Sequence, residues 1–292
     1  MIQQLLKILI TGIGIGAIAY LSICIYLFLC QNRLIFFPSS IIENTPEKLG
    51  LTYSDIWLSI PTKLGKIDKI HGWWIPADKP TSKVLLYLHG NGVNIEVNLE
   101  HAQRFHKLGF SVFLIDYRGY GKSKGKFPTE KQVYEDAQIA YDYLVEERGI
   151  KPENIMVYGH SLGGAIAIDL AIKRPKIAGI IVQSSFTSVE DLVQLKKSYR
   201  FFPIGLILHH KFESIDKITR LQMPILLIHG AEDKTVPVWM SECLFAKAKV
   251  PKKLLIVPEA HHTNVAKVSG EKYLQTVREF YQLVNIATLF EL

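Results

Sequence analysis

The chain has 292 residues, enough for one substantial α/β domain with an appendage. Lys and Arg number 34 against 27 Asp and Glu, a net charge of +7, but the basic residues are scattered and no nucleic-acid motif accompanies them, so nucleic acid is not expected as a partner. The surplus suits a solvated surface facing an anionic membrane, and the 3 cysteines form neither a disulfide framework nor a CxxC spacing, so no metal or cofactor is expected.

Ile8 to Cys30 is almost wholly apolar and carries no charge, long enough to cross a bilayer core. Ala17-Ile18-Ala19 resembles a signal-peptide cleavage site, but the apolar run continues past it to Cys30. An uncleaved transmembrane anchor over residues 1–33 is therefore expected, with one domain over 34–292. The side of the membrane stays open, because Lys and Arg are nearly balanced about the span. Gln31 to Pro38 reads as an aromatic exit at the membrane interface, followed by a polar linker to about Gly50. Tyr53–Ile60 and Lys66–Ile75 alternate apolar and polar residues around Pro61-Thr-Lys-Leu-Gly65, which predicts an antiparallel hairpin.

Strand and helix patterns then alternate. Short apolar runs at Val84–His89, Ser111–Asp116, Ile155–Tyr158, Ile177–Val182, Ile225–His229 and Leu254–Val257 read as strands. Helices are expected over Ile95–Lys107, Thr129–Arg148, Ser161–Arg174, Val236–Lys249 and Glu271–Ile286, with Thr129 as an N-cap. This is an α/β fold with a mostly parallel central sheet and helices on both faces. About forty strandless residues follow Val182. We expect them to form a small lid, about 184–222, whose Phe186, Phe201, Phe202 and Leu206 are candidates for an acyl pocket.

Between the Ile155 strand and the following helix sits Gly159-His-Ser161-Leu-Gly163. The glycines let strand and helix backbones approach closely, and the helix N-terminus points at the serine. Alone, the motif also fits a buried serine in a Gly-rich turn. A nucleophilic serine needs a base and an orienter, which in such sheets lie beyond the C-terminal ends of strands. Asp233 follows the Ile225 strand and His262 the last one, giving the order Ser161, Asp233, His262. Glu232 and His261 are their rivals. Adjacent histidines point apart, which disfavours a metal pair at 261–262 or 209–210. Leu162 N–H and Asn91 N–H, the latter in His89-Gly-Asn-Gly92, are the expected oxyanion donors. Asp116 and Arg118 are expected to pin the neighbouring loop.

His89-Gly-Asn-Gly92-x-Asn94, Asp116-Tyr-Arg-Gly-Tyr-Gly-Lys-Ser123, Gly159-His-Ser-Leu-Gly-Gly164, Gly230-Ala-Glu-Asp233-x-x-Val-Pro237 and the His262 loop resemble the α/β-hydrolase superfamily. The look-alikes are its N-terminally anchored small-lid serine hydrolases, of the bud-emergence type and the α/β-hydrolase-domain group that includes protein depalmitoylases. The resemblance runs from Leu34 to Leu292. It implies a serine hydrolase of carboxylic esters or thioesters, acting at a membrane on lipid-like acyl substrates, acylated protein among them. Two departures stand out: Glu259-Ala-His261-His262 replaces the family's Gly-x-Gly-His, and His160 stands near the acyl site where relatives carry Arg or Phe. A peptidase or acyltransferase on the same triad is the alternative enzyme, and a non-catalytic membrane scaffold the alternative of another class.

Overall fold

The structure is a computed structural model that describes residues 1–61, 65, 67–81, 83–125 and 127–289. The interior of the expected Pro61–Gly65 turn and the Lys66 start of its second strand lie outside the described residues.

The chain opens with α1 (Ile2–Leu29), 28 residues long and apolar enough by length and composition to cross a membrane. Cys30 breaks it, and a short α2 (Gln31–Ile35) leads into β1 (Phe37–Pro38). The hairpin is β2 (Ser54–Pro61) and β3 (Ile67–Ile75), paired antiparallel. Then come β4 (Val84–Leu88), β5 (Gly92–Val93), α3 (Leu99–Lys107) and β6 (Ser111–Ile115). The next helix, α4 (Glu130–Asp142), starts at a Thr129–Gln132 capping box, in which each side chain bonds the other's backbone N–H.

The centre is built by β7 (Ile155–His160), α5 (Leu162–Lys173) and β8 (Gly179–Gln183). Short helices α6 (Val189–Gln194), α7 (Ile204–Ile207) and α8 (Ser214–Lys217) occupy the stretch expected to be a lid. The chain returns through β9 (Ile225–Gly230), α9 (Trp239–Lys247), β10 (Lys252–Val257), α10 (Val265–Ser269) and α11 (Glu271–Leu289).

Among the described residues, eight strands form one sheet in the order β10-β9-β8-β7-β4-β6-β3-β2. All neighbours from β10 to β6 run parallel, and the β6–β3 and β3–β2 pairs run antiparallel. Alternation within each strand splits the core. Val84, Leu86 and Leu88 of β4 join the cluster containing α4 and α5, while Leu85 and Tyr87 join the cluster containing α3 and α11. Both faces are covered, so all five β4 residues are buried.

Two readings of the N-terminal region need correction. The Gln31–Pro38 stretch is not simply an interfacial exit: Phe36 is fully buried, edge-on to His210 and Phe212. Phe37–Pro38 pairs in parallel with Gly92–Val93. Nor is the segment after it a free linker. Ser39 N–H donates to Val93 O at 2.8 Å, and the Asn94 side-chain amide donates to the carbonyls of Ser39 and Ile41.

Candidate active site

Ser161 joins β7 to α5 at the centre of the sheet, with φ 53° and ψ −118°. A side chain in this left-handed region is strained, and the surroundings must hold it there. They do so through hydrogen bonds and close packing. Ser161 N–H donates to Gln183 O at 2.9 Å, and Ser185 Oγ donates to Ser161 O at 2.8 Å. A Cβ on Gly159 would stand 2.2 Å from Gly163 O, and one on Gly163 would stand 2.1 Å from Leu88 O. The strand and helix backbones are therefore in contact, as the Gly-x-Ser-x-Gly spacing requires.

The loops after β9 and β10 bring two partners to this serine. His262 Nε2 lies 3.1 Å from Ser161 Oγ, and His262 Nδ1 lies 2.7 Å from Asp233 Oδ2. Because the carboxylate can only accept, Nδ1 carries a proton and Nε2 is left to accept from the serine hydroxyl. The two rivals are elsewhere. His261 is exposed and donates from Nδ1 to Glu232 O at 3.0 Å, and Glu232 itself is exposed.

The Asp233 carboxylate is fully buried, yet well supplied with donors. Oδ1 accepts from Thr235 N–H at 2.8 Å and Val236 N–H at 2.9 Å, and His229 Nε2 is 3.2 Å from Oδ2. Burial alone would raise its pKa. Hydrogen bonds from His229 and His262, attraction to His262 and the Val236 N–H outweigh burial and hold the carboxyl well below the usual carboxylate range.

Leu162 is the first residue of α5, so its N–H has no partner within the helix. Asn91 lies on the same cavity as Ser161 and Leu162. Its loop is tightly held. Asn91 O accepts from Phe37 N–H at 2.9 Å and Tyr120 Oη at 2.7 Å, and Asn91 Nδ2 donates to Ile35 O at 2.9 Å. Asp116 and Arg118 brace the adjoining segment: Asp116 Oδ1 accepts from Ile95 N–H, and Arg118 forms a buried ion pair with Asp136 at 2.7 Å.

A cavity of about 360 Å³ opens beside Ser161. Phe186 lines it, as expected, together with Val189, Leu192, Ile204, Ile207 and Leu208 of the lid. Four expected pocket residues do not line it. Leu206 is 85% exposed, because on the single turn of α7 it points away from the side that carries Ile204 and Ile207. Phe201 is 67% exposed, and Phe202 stacks on Tyr20 of α1 with centroids 5.5 Å apart. His160 lies behind the histidine loop, where its Nε2–H donates to His262 O at 3.1 Å. Burial, reinforced by His262, pushes the His160 imidazole down to about 4, so it is neutral at pH 7. A second groove of about 610 Å³, bordered by Glu130, Lys131, Glu135 and Lys173, lies away from Ser161.

Some participants carried no signal in the sequence. His229 is the penultimate residue of buried β9, and only the fold turns it onto Asp233. Gln31 is buried under the lid. Its Nε2 donates to Ile207 O at 2.7 Å, and its Oε1 accepts from the N–H groups of His209 and His210 at 2.9 and 3.3 Å. Glu130 at the start of α4 accepts from Lys211 N–H and Phe212 N–H, tying the far side of the lid to the domain.

Residues 79–216 match the family described as serine aminopeptidase, S33. The chain is 31% identical over 286 residues to the bem46 protein of Schizosaccharomyces pombe, covering 94% of each. It is 33% identical over 230 residues to α/β-hydrolase domain-containing protein 17B of Homo sapiens, covering 77% of this chain and 76% of that one. An esterase of Pyrococcus furiosus shares the fold, with a TM-score of 0.68 at 24% identity over 84% of this chain and 98% of that one. The chain belongs to the α/β-hydrolase family, in the group that includes bem46 and the domain-containing 17B proteins.

Proposed function

We propose that this hydrolase is a serine esterase or thioesterase acting on lipid-like acyl substrates at a membrane. The observation that carries the reading is the unbroken chain Ser161 Oγ, His262 Nε2, His262 Nδ1, Asp233 Oδ2. In the first step His262 accepts the hydroxyl proton as Ser161 Oγ bonds to the acyl carbonyl carbon. The carbonyl π electrons move onto oxygen, which the N–H groups of Leu162 and Asn91 stabilise. The Asp233 carboxylate stabilises the imidazolium. Collapse expels the alkoxide or thiolate, which takes the proton from His262. His262 then takes a proton from water as the water oxygen bonds to the acyl carbon; collapse breaks the acyl–Oγ bond, Ser161 Oγ takes that proton back from His262, and the acid leaves. The apolar cavity and the apolar α1 favour an acyl chain at a membrane surface.

A serine peptidase is the second reading, favoured by the description of the matching family. Assay of p-nitrophenyl esters, an acyl thioester, a lysophospholipid and an aminoacyl anilide separates the two. Acyl substrates should be turned over and the anilide left intact. Fluorophosphonate labelling retained in Ser161→Ala would rule out Ser161 as nucleophile. An active His262→Ala beside a dead His261→Ala would move the base.

A further inference from the structure

The cavity beside Ser161 has a wall made by the N-terminal segment. Leu27 in the last turns of α1, Leu34 and Ile35 in α2, and Phe37 in β1 line it. We infer that this wall is part of the acyl-binding site, and that the substrate is an acyl chain drawn from the bilayer rather than from water. The inference rests on the hydrolase reading above and names its substrate class.

Three observations carry it. First, α1 is not a loose tether. Tyr20 stacks on Phe202 of the lid and donates its hydroxyl to Phe201 O at 2.9 Å. Phe28 packs edge-on to His209, and Gln31 bonds three lid residues. Second, Tyr20 lies about 13 Å back from the end of α1, at 1.5 Å per residue. The lid therefore runs alongside the apolar span rather than beyond it. Third, the outer side of the lid presents exposed Leu195, Phe201 and Leu206 among exposed Lys197 and Arg200. Apolar residues interleaved with cations suit the boundary between headgroups and acyl chains. A cavity walled by the lid on one side and the end of α1 on the other takes an acyl chain from lipid and presents its carbonyl to Ser161. Each methylene that enters should raise kcat/KM about fourfold.

The test uses the full chain in phosphatidylcholine vesicles doped with a phosphatidylcholine that bears a diazirine at the methyl end of one dodecanoyl chain. Photolysis should label Leu34, Ile35, Phe37, Ile204, Ile207 and Leu208. Leu34→Trp or Leu27→Trp, which fill the cavity, should lower the label at Ile204, Ile207 and Leu208 at least fivefold. Ile13→Trp, in the same helix and away from the cavity, should leave it unchanged. Label confined to the Ile8–Ile23 turns of α1, or unaffected by both cavity-filling variants, overturns the inference. The readout needs no turnover. A chain that labels as expected but hydrolyses no ester refutes the hydrolase reading and keeps the acyl site. An active chain that does not label there refutes the acyl site alone.

Discussion

His229 and His262 converge on one oxygen of Asp233, at 3.2 and 2.7 Å. His229 Nε2 also lies 2.8 Å from Val236 O and its Nδ1 lies 2.6 Å from Ser241 Oγ, and since a carbonyl and a carboxylate only accept, Nε2 carries a proton. It therefore acts as a fixed donor that keeps the carboxylate ionised. Replacing it with Phe should lower kcat about 10- to 100-fold, in line with loss of a hydrogen bond to a buried charge. With one donor fewer opposing burial, the Asp233 pKa rises. Ester kinetics of His229→Phe beside those of the unaltered chain check the fall in kcat.

Buried histidines should make the fold acid-labile. Burial, with neighbouring His160 and Arg104, pushes His101 down to about 3; burial with His262 pushes His160 to about 4; burial with His209 pushes His210 to about 4. In the unfolded chain each returns to about 6.5. Between about 6.5 and 4 the unfolded state binds more protons, so the stability these groups contribute is whole above 6.5 and is lost as pH falls. Urea midpoints should fall steadily from pH 7 to pH 4.5. His101→Phe should flatten that slope by about one proton's worth.

Gln31→Leu removes the donor and the acceptor that join α2 to the lid. It leaves Ile207 C=O and His210 N–H unpaired in a buried place, since Gln31 is only 4% exposed. The expected loss is about 2–4 kcal/mol. Faster amide exchange at His209 and His210, with a lower Tm, would register it. Unchanged exchange at both amides would refute the clamp.

Gly159→Ala and Gly163→Ala should each abolish folded, active protein. The atoms a Cβ would strike are backbone carbonyls at 2.2 and 2.1 Å, which cannot swing aside. Gly92→Ala is the contrast, with nothing within 4 Å of its added Cβ. Circular dichroism and yield of soluble, labelled enzyme distinguish the three.

The hairpin, the alternating strands and the serine turn were legible because each is encoded locally. Period-two alternation marks β2 and β3, continuous apolar runs mark β4, β6 and β7, and Gly-x-Ser-x-Gly marks the turn. The lid register was not. Whether Phe201 or Ile204 faces the cavity depends on where a four-residue helix docks against α1. That is set by Tyr20 and Gln31, more than 170 residues away in sequence. The two-residue pairing of Phe37–Pro38 with Gly92–Val93 is likewise too short to leave a pattern. Phe36 looked interfacial because aromatic residues beside an apolar span usually are. Its burial against Phe212 is tertiary.

The pairing of β1 with β5 has a consequence for where the chain can be cut. Asn91 O is held by Phe37 N–H, its side-chain amide by Ile35 O, and the next turn of the loop by Ser39 N–H. A protease acting within α1 would separate the domain from its apolar helix and leave these contacts standing. One acting between Phe37 and Ser39 would unzip the support beneath Asn91. From Leu29 at the end of α1 to Phe37 at the start of that pairing is eight residues, so proteolytic release and proteolytic inactivation lie close together along the chain.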